Sequence, residues 1–364
     1  MQAIGPLARV ITDIDQLTVD WLTLVLIRSG ALRMGSVRDF DAHLLDSTNA
    51  RFAAIRPVYS SDAAGSPPTQ LLLKMCADNG ALFGPSEVHY YTQDYGQLAH
   101  PPIPPSYDAQ YSAAPRRYHI LMKDLSATHR PNWNTTPTVA YGYAVADALA
   151  RLHAHWWGEQ RLRVAGTAIP GEAEISRYHT HIQPGLTPIL DAVRDEIDAT
   201  WQGTLYDIFQ HHPARMIERT RDRTGFTIVH GDVNPGNILS PHDEHGTTYL
   251  IDRQPFDWSL TTWLAVSDMA YFLVLWWDTD LRRRWELPIL QHYHARLVQY
   301  GVQDYSWEQL IRDYKLTAVE GLYVAVEWGV CDDFIPHKWI WWPKLCRAMA
   351  AFSDLDCAAL WAKQ

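Results

Sequence analysis

The sequence predicts an α+β chain in two lobes, a small one built on an antiparallel sheet and a larger one that is mainly helical. Three observations predict this. Apolar runs bounded by turn residues, at Phe40–Leu45, Arg51–Arg56, Gln70–Cys76 and Tyr118–Met122, crowd into the first third of the chain, where they read as strands. Beyond residue 128 the apolar period changes to that of a helix, with Val145, Leu149, Leu152 and Trp156 on one face. With 364 residues, 47% of them hydrophobic and 20% charged, the chain is long enough to bury the core of two lobes.

The elements follow in order. Val19, Trp21, Leu22, Val25 and Leu26 mark a helix whose apolar face packs on the first strands. Ser61–Pro68 is small, polar and rich in breakers, so it turns the chain between two strands. After Gly84-Pro85, Ser86 is placed to cap a helix that carries Glu87, Val88, Tyr91 and Tyr95. His100–Pro105 holds four prolines and cannot be helix interior, so it reads as a surface connection. His153 and His155 lie two apart on their helix and point to different sides, which makes a poor metal pair and leaves packing or surface roles. Trp276, Trp277, Trp307, Trp328, Trp339, Trp341, Trp342 and Trp361 enrich the tail; most of them read as core, and a broad substrate pocket with flat apolar faces is the other use of such rings. Asp332 and Asp333 beside them read as a solvated turn or as a site for a cationic substrate.

One stretch carries chemistry. An apolar strand, Phe226–Val229, enters His230-Gly231-Asp232-Val233-Asn234-Pro235-Gly236-Asn237; Ile238-Leu239 leaves it, and a further apolar run, Thr247–Ile251, ends in Asp252. Pro235 and Gly236 bend the loop so that Asn237 can turn back toward Asp232. A hydroxyl attacking a phosphorus atom needs a carboxylate to orient it and take its proton, and Asp232 fits that role. Magnesium prefers one or two hard protein oxygens beside phosphate and water, and Asn237 with Asp252, at the end of a hairpin, supplies them.

The segment resembles the catalytic and metal-binding motifs of the aminoglycoside phosphotransferase and choline kinase superfamily, of protein-kinase-like fold, and is closest to its ecdysteroid-kinase-like branch. The resemblance implies that Asp232 is the catalytic base, that Asn237 and Asp252 bind magnesium, and that His230 organises the backbone. It also requires a lysine on a small-lobe strand to hold the nucleotide phosphates and a helix carboxylate to hold that lysine. Lys74 and Glu87 meet this requirement. Lys123, Asp124 and Leu125 are similar to the segment joining the lobes, so they are expected to touch adenine mainly through main-chain atoms. The loop over the phosphates would be Asp46–Ala50, which has no glycine; Ser47 and Thr48 are its candidate phosphate contacts. The implied boundaries are a nucleotide-binding lobe at 1–122, a hinge at 123–127 and a catalytic lobe at 128–364. Arg253-Gln254 departs from the aromatic-Gln common in the family.

Other classes are excluded or disfavoured. A net charge of -10 argues against a nucleic-acid binder. Four cysteines without Cys-Xaa-Xaa-Cys spacing suggest neither a zinc knuckle nor a disulfide framework. The first residues lack a signal-peptide pattern, and no apolar run approaches the roughly 18 residues of a membrane span, so a cytoplasmic protein is expected. Two readings stand: an ATP- and Mg2+-dependent phosphotransferase acting on a hydroxyl of a small molecule (an antibiotic, sugar, amino alcohol or steroid-like alcohol), or a kinase-like protein that holds a nucleotide or small ligand without transfer.

Overall fold

Alternation decides where the first key side chain points. The structure, a computed structural model, describes residues 9–46, 50–76, 84–243, 246–256 and 258–362. The chain splits into two compact units, Met1–Pro131 with Leu239–Asp257, and Asn132–Ile238 with Trp258–Gln364.

In the first unit, helix α1 (Val19–Arg28) starts where the Thr18 hydroxyl accepts a hydrogen bond from the Trp21 amide at 3.1 Å. The helix buries Trp21, Leu22, Val25 and Leu26, the face its spacing selects. Then come β1 (Leu32–Met34), β2 (Val37–Leu45), β3 (Ala50–Tyr59), β4 (Ala64–Gly65), β5 (Leu71–Cys76), α2 (Ser86–His89), β6 (Ser106–Ala113), β7 (Arg116–Lys123) and β8 (His129–Arg130). Five strands form one antiparallel sheet in the order β2-β3-β5-β7-β6. Leu71, Leu73 and Met75 join α1 in the core, and the two-residue period of a strand turns Lys74 to the opposite face, beside Phe52 of β3. The turn expected at Ser61–Pro68 contains β4, which pairs with β1.

The second unit is mostly helical: α3 (Val139–His155), α4 (Glu159–Val164), α5 (Glu172–Ile182), α6 (Leu186–Ala192) and α7 (Ala199–Arg219) precede β9 (Phe226–Ile228). After β10 (Ile238–Pro241) and β11 (Tyr249–Leu250) follow β12 (Thr262–Leu264), α8 (Val266–Trp276), α9 (Thr279–Gln299), α10 (Trp307–Ala318), α11 (Glu320–Glu327) and α12 (Lys338–Asp354). Strand β9 pairs with β12, not with the nearer β10.

The linear division expected at 123–127 does not describe these units. Leu239–Asp257, placed by that division in the larger lobe, belongs to the first unit. Ser240 and Pro241 of β10 pair with Arg130 and His129 of β8, β11 lies on the other side of β10, and the following residues are held by ion pairs described below. Among the described residues no helix is long and apolar enough to cross a membrane.

Candidate active site

The His230–Asn237 loop is shaped by one buried carboxylate, Asp268, whose role its position in the sequence does not reveal. Gly231 has a φ of 77°, a conformation that costs glycine little, and its amide and that of His230 both point at Asp268 in the first turn of α8. His230 N donates to Asp268 Oδ2 at 2.7 Å and Gly231 N to Oδ1 at 2.8 Å. Asp268 is 1% exposed, and its Oδ2 also meets His153 Nε2 at 2.9 Å. Burial alone would raise this carboxyl; the His153 bond and charge, with the His230 amide, outweigh it and hold Asp268 below its ordinary value. His153 is fixed in turn by Tyr293 at 2.7 Å. It is therefore a packing histidine, as its spacing suggests, but one whose packing sets the His230–Asn237 loop.

Asp232 follows this anchor. Its Oδ1 accepts from Tyr271 Oη at 2.6 Å and from Asn234 Nδ2 at 2.9 Å, and its Oδ2 accepts from Asn237 Nδ2 at 2.9 Å. Asn237 Nδ2 also reaches the Asp232 carbonyl at 2.9 Å, so the loop folds back over the expected five residues. With its nitrogen committed to Asp232, the Asn237 side chain turns its oxygen the other way. Asn234 closes the turn by accepting from the Gly236 and Asn237 amides at 2.8 and 3.2 Å. A Cβ at Gly236 would lie 2.4 Å from the Trp133 indole, so only glycine lets that ring cover the loop. Burial, the Asp232 charge and the hydrogen bond all push the Tyr271 hydroxyl well above its ordinary value, which keeps it a donor. Nothing in the motif spacing identifies Tyr271; the signal available was its position one turn after Asp268 on a helix that follows the loop.

The first unit assembles the other charged residues. Lys74, 6% exposed, donates from Nζ to Glu87 Oε1 at 2.7 Å and to Asp252 Oδ1 at 2.8 Å. Burial would lower this lysine; the carboxylates of Asp252 and Glu87 reverse that and keep it charged. Burial raises Glu87, aided by Asp252, while Lys74 pulls it back. Asp252 has a φ of 60°, a left-handed conformation that aspartate tolerates better than most side chains. Among the described residues no group of three or more His, Cys, Asp or Glu side chains could hold a metal alone. The carboxamide oxygen of Asn237 and the carboxylate of Asp252 are each a hard donor of the kind magnesium takes beside phosphate and water.

One expectation needs correction. Ser86 does not cap α2: the cap position is Pro85, and the Ser86 hydroxyl donates to Gln254 O at 2.8 Å. The hydroxyl also accepts from Arg253 Nε at 3.1 Å, and Arg253 Nη2 donates to Ser86 O at 2.8 Å. Arg253 is 4% exposed, ion-paired with Asp94 and stacked 5.6 Å from the Tyr90 ring centre. The departure from the family pattern is thus a clamp on the helix that carries Glu87. At the hinge, Lys123 N donates to Pro105 O at 2.9 Å and Asp124 N to Gln70 O at 3.3 Å, so these amides serve the fold. The Leu125 carbonyl accepts from the Thr128 and His129 amides at 2.9 and 2.8 Å, whereas the Leu125 amide has no partner among the described residues. Ser47 and Thr48 lie outside the described residues. Asp332 and Asp333 are exposed in a short turn.

The chain and its fold have counterparts among known proteins. A model described as the ecdysteroid kinase-like family matches residues 91–303, more than half of the chain. Among solved structures the chain is similar to a glucosamine kinase in complex with glucosamine, ADP and inorganic phosphate, with a TM-score of 0.52, 13% identity and coverage of 87% of this chain and 94% of the other. It is also similar to a choline/ethanolamine kinase family protein from Mesorhizobium loti, with a TM-score of 0.51, 10% identity and coverage of 88% and 92%. At these identities the likeness establishes the fold, α+β, two-lobed and protein-kinase-like. No curated protein sequence matches the chain significantly.

Proposed function

The chain belongs to the ecdysteroid kinase-like family, and from that premise we propose that it is an ATP- and Mg2+-dependent phosphotransferase acting on a hydroxyl group of a small molecule. The observation that carries this reading is the Asp232 carboxylate, held at both oxygens by Tyr271, Asn234 and Asn237 on a loop anchored to Asp268. A carboxylate built only to stabilise a turn needs no tyrosine from a distant helix. Asp232 orients the acceptor hydroxyl and takes its proton as the new P–O bond forms and the bond to ADP breaks. Lys74, kept charged by Asp252 and Glu87, holds nucleotide phosphates. The Leu125 amide is the hinge donor open to adenine. Asn237 and Asp252 would hold magnesium, which when bound neutralises charge on the phosphate oxygens. The ADP in the glucosamine kinase structure supports a nucleotide as donor.

The test is transfer from MgATP to a panel of hydroxylated small molecules, with products identified by mass spectrometry. Asp232→Asn is expected to lower kcat by about 100-fold or more, the usual contribution of a positioned general base. Wild-type turnover in that variant would refute the assignment. Stabilisation by MgATP with no acceptor phosphorylated would instead favour a protein that binds without transfer.

A further inference from the structure

Lys344 is a buried charged group that the proposed chemistry leaves unused. It lies on α12, is 8% exposed, and forms no ion pair with any described residue. Its Nζ donates to Ile340 O at 2.5 Å in the preceding turn. The ammonium sits 4.6 Å from the Trp276 ring centre and 5.9 Å from that of Trp328. Rings arranged in this way attract a cation through their negative faces. Here the chain fills the box with its own cation. One ammonium hydrogen is committed to Ile340 and two remain, because a lysine has three donors.

The box adjoins the catalytic loop. Trp276 is five residues after Tyr271 on α8, and Tyr271 donates to Asp232. Trp133, edge-on to Trp276 at 5.5 Å between centres, is the same ring that presses on Gly236. Burial lowers the lysine to about 8 and the nearby Asp232 charge opposes this, so Lys344 is mostly protonated at neutral pH. A buried ammonium without an ion-pair partner is costly, and an anion placed against it recovers much of that cost.

We propose that Lys344, held between Trp276 and Trp328, binds an anionic group of the phosphoryl acceptor, so that this site selects hydroxylated carboxylates or phosphate esters over amines. The placement of the acceptor rests on Asp232 being the base; the binding preference does not. An amine would meet Lys344 with like charge in a box already occupied.

Matched probes test the idea: 4-hydroxyphenylacetate, tyrosol and tyramine, and gluconate, glucose 6-phosphate, glucose and glucosamine. Binding to the full chain is measured by calorimetry without nucleotide, and transfer from MgATP is measured separately. The expected result is that at least one anionic member, carboxylate or phosphate, binds about tenfold or more tightly than its neutral and cationic counterparts, in line with a charge-assisted hydrogen bond. Lys344→Met should remove that preference and Lys344→Arg should keep part of it. If Lys344→Met does not fold, Lys344→Gln carries the same comparison. Preference for amines, no charge preference in either set, or equal losses for all three charge classes in the variant would overturn the proposal. Anion binding that depends on Lys344, without transfer to the bound probe, would keep the binding preference and overturn the placement of that anion on a phosphoryl acceptor.

Discussion

At the scale of single residues, the Tyr271–Asp232 bond is the contact whose loss is easiest to read. Tyr271→Phe removes a 2.6 Å hydrogen bond to a carboxylate and leaves the ring in place. A bond to a charged group is worth roughly 1.5–3 kcal/mol, so kcat should fall about 10- to 100-fold. Nucleotide binding should change little, because Lys74, Glu87 and Leu125 are untouched. Steady-state kinetics with ATP varied will show whether the loss falls on kcat alone. Asp232 and Asn237 were legible because a turn motif with fixed spacing brings them together locally, whatever the rest of the chain does. Tyr271, Asp268 and His153 were not, because each reaches the loop from a helix far away in sequence, and spacing along the chain carries no record of such contacts.

Secondary-structure elements show the same limit in another form. Ser86 has the chemistry of a helix cap, but its hydroxyl is taken by Gln254 and Arg253 from a segment some 167 residues later. A tertiary partner has overridden a local preference. Arg253 then becomes a test of how α2 is held. Arg253→Met takes the cation away from the buried Asp94 carboxylate, and breaking such a pair costs about 3–5 kcal/mol of stability. A compensating Asp94→Leu should recover much of that loss in denaturant titrations. If Arg253 also positions Glu87, the double variant keeps a raised KM for ATP; recovery of both quantities would mean that the clamp is structural only. In the second unit, His212 on α7 makes a pH-dependent link. It is 0% exposed, meets Leu316 O and Tyr323 Oη at 2.9 Å each, and burial lowers it from 6.5 to about 4. A carbonyl only accepts, so Nε2 carries the proton and Nδ1 accepts from the tyrosine. The folded state holds this imidazole neutral, while the unfolded chain protonates it near 6.5. Its contribution is therefore fully present above that value and is lost as pH falls toward 4, by on the order of 3 kcal/mol. His212→Gln should flatten the stability of the chain over that window relative to wild type, measured by urea midpoints at several pH values.

For the whole molecule, the two-lobe α+β plan could be read from the change of apolar period along the chain, because strand and helix impose different repeats on every sequence. The division of residues between the units could not. Leu239–Asp257 reads as part of a continuous larger lobe, and only strand pairing to β8 and the ion pairs of Asp252 and Arg253 assign it to the first unit. That assignment makes Asp252 the residue through which nucleotide should be felt thermodynamically, since it meets Lys74 now and is proposed to meet magnesium when ATP binds. A ligand present at 100 times its Kd stabilises the folded state by about 2.7 kcal/mol, which for a chain of this size is a rise in Tm on the order of 3 °C. The wild type should show this rise with ATP and magnesium together, and much less with ATP and EDTA. Lys74→Met should lose the rise under both conditions, because the phosphates lose their anchor. Asp252→Asn should lose mainly the difference between them, because the carboxamide keeps the shape of the side chain but not the charge that holds the metal. Equal rises with and without magnesium in the wild type would remove Asp252 from the metal site while leaving the nucleotide site intact.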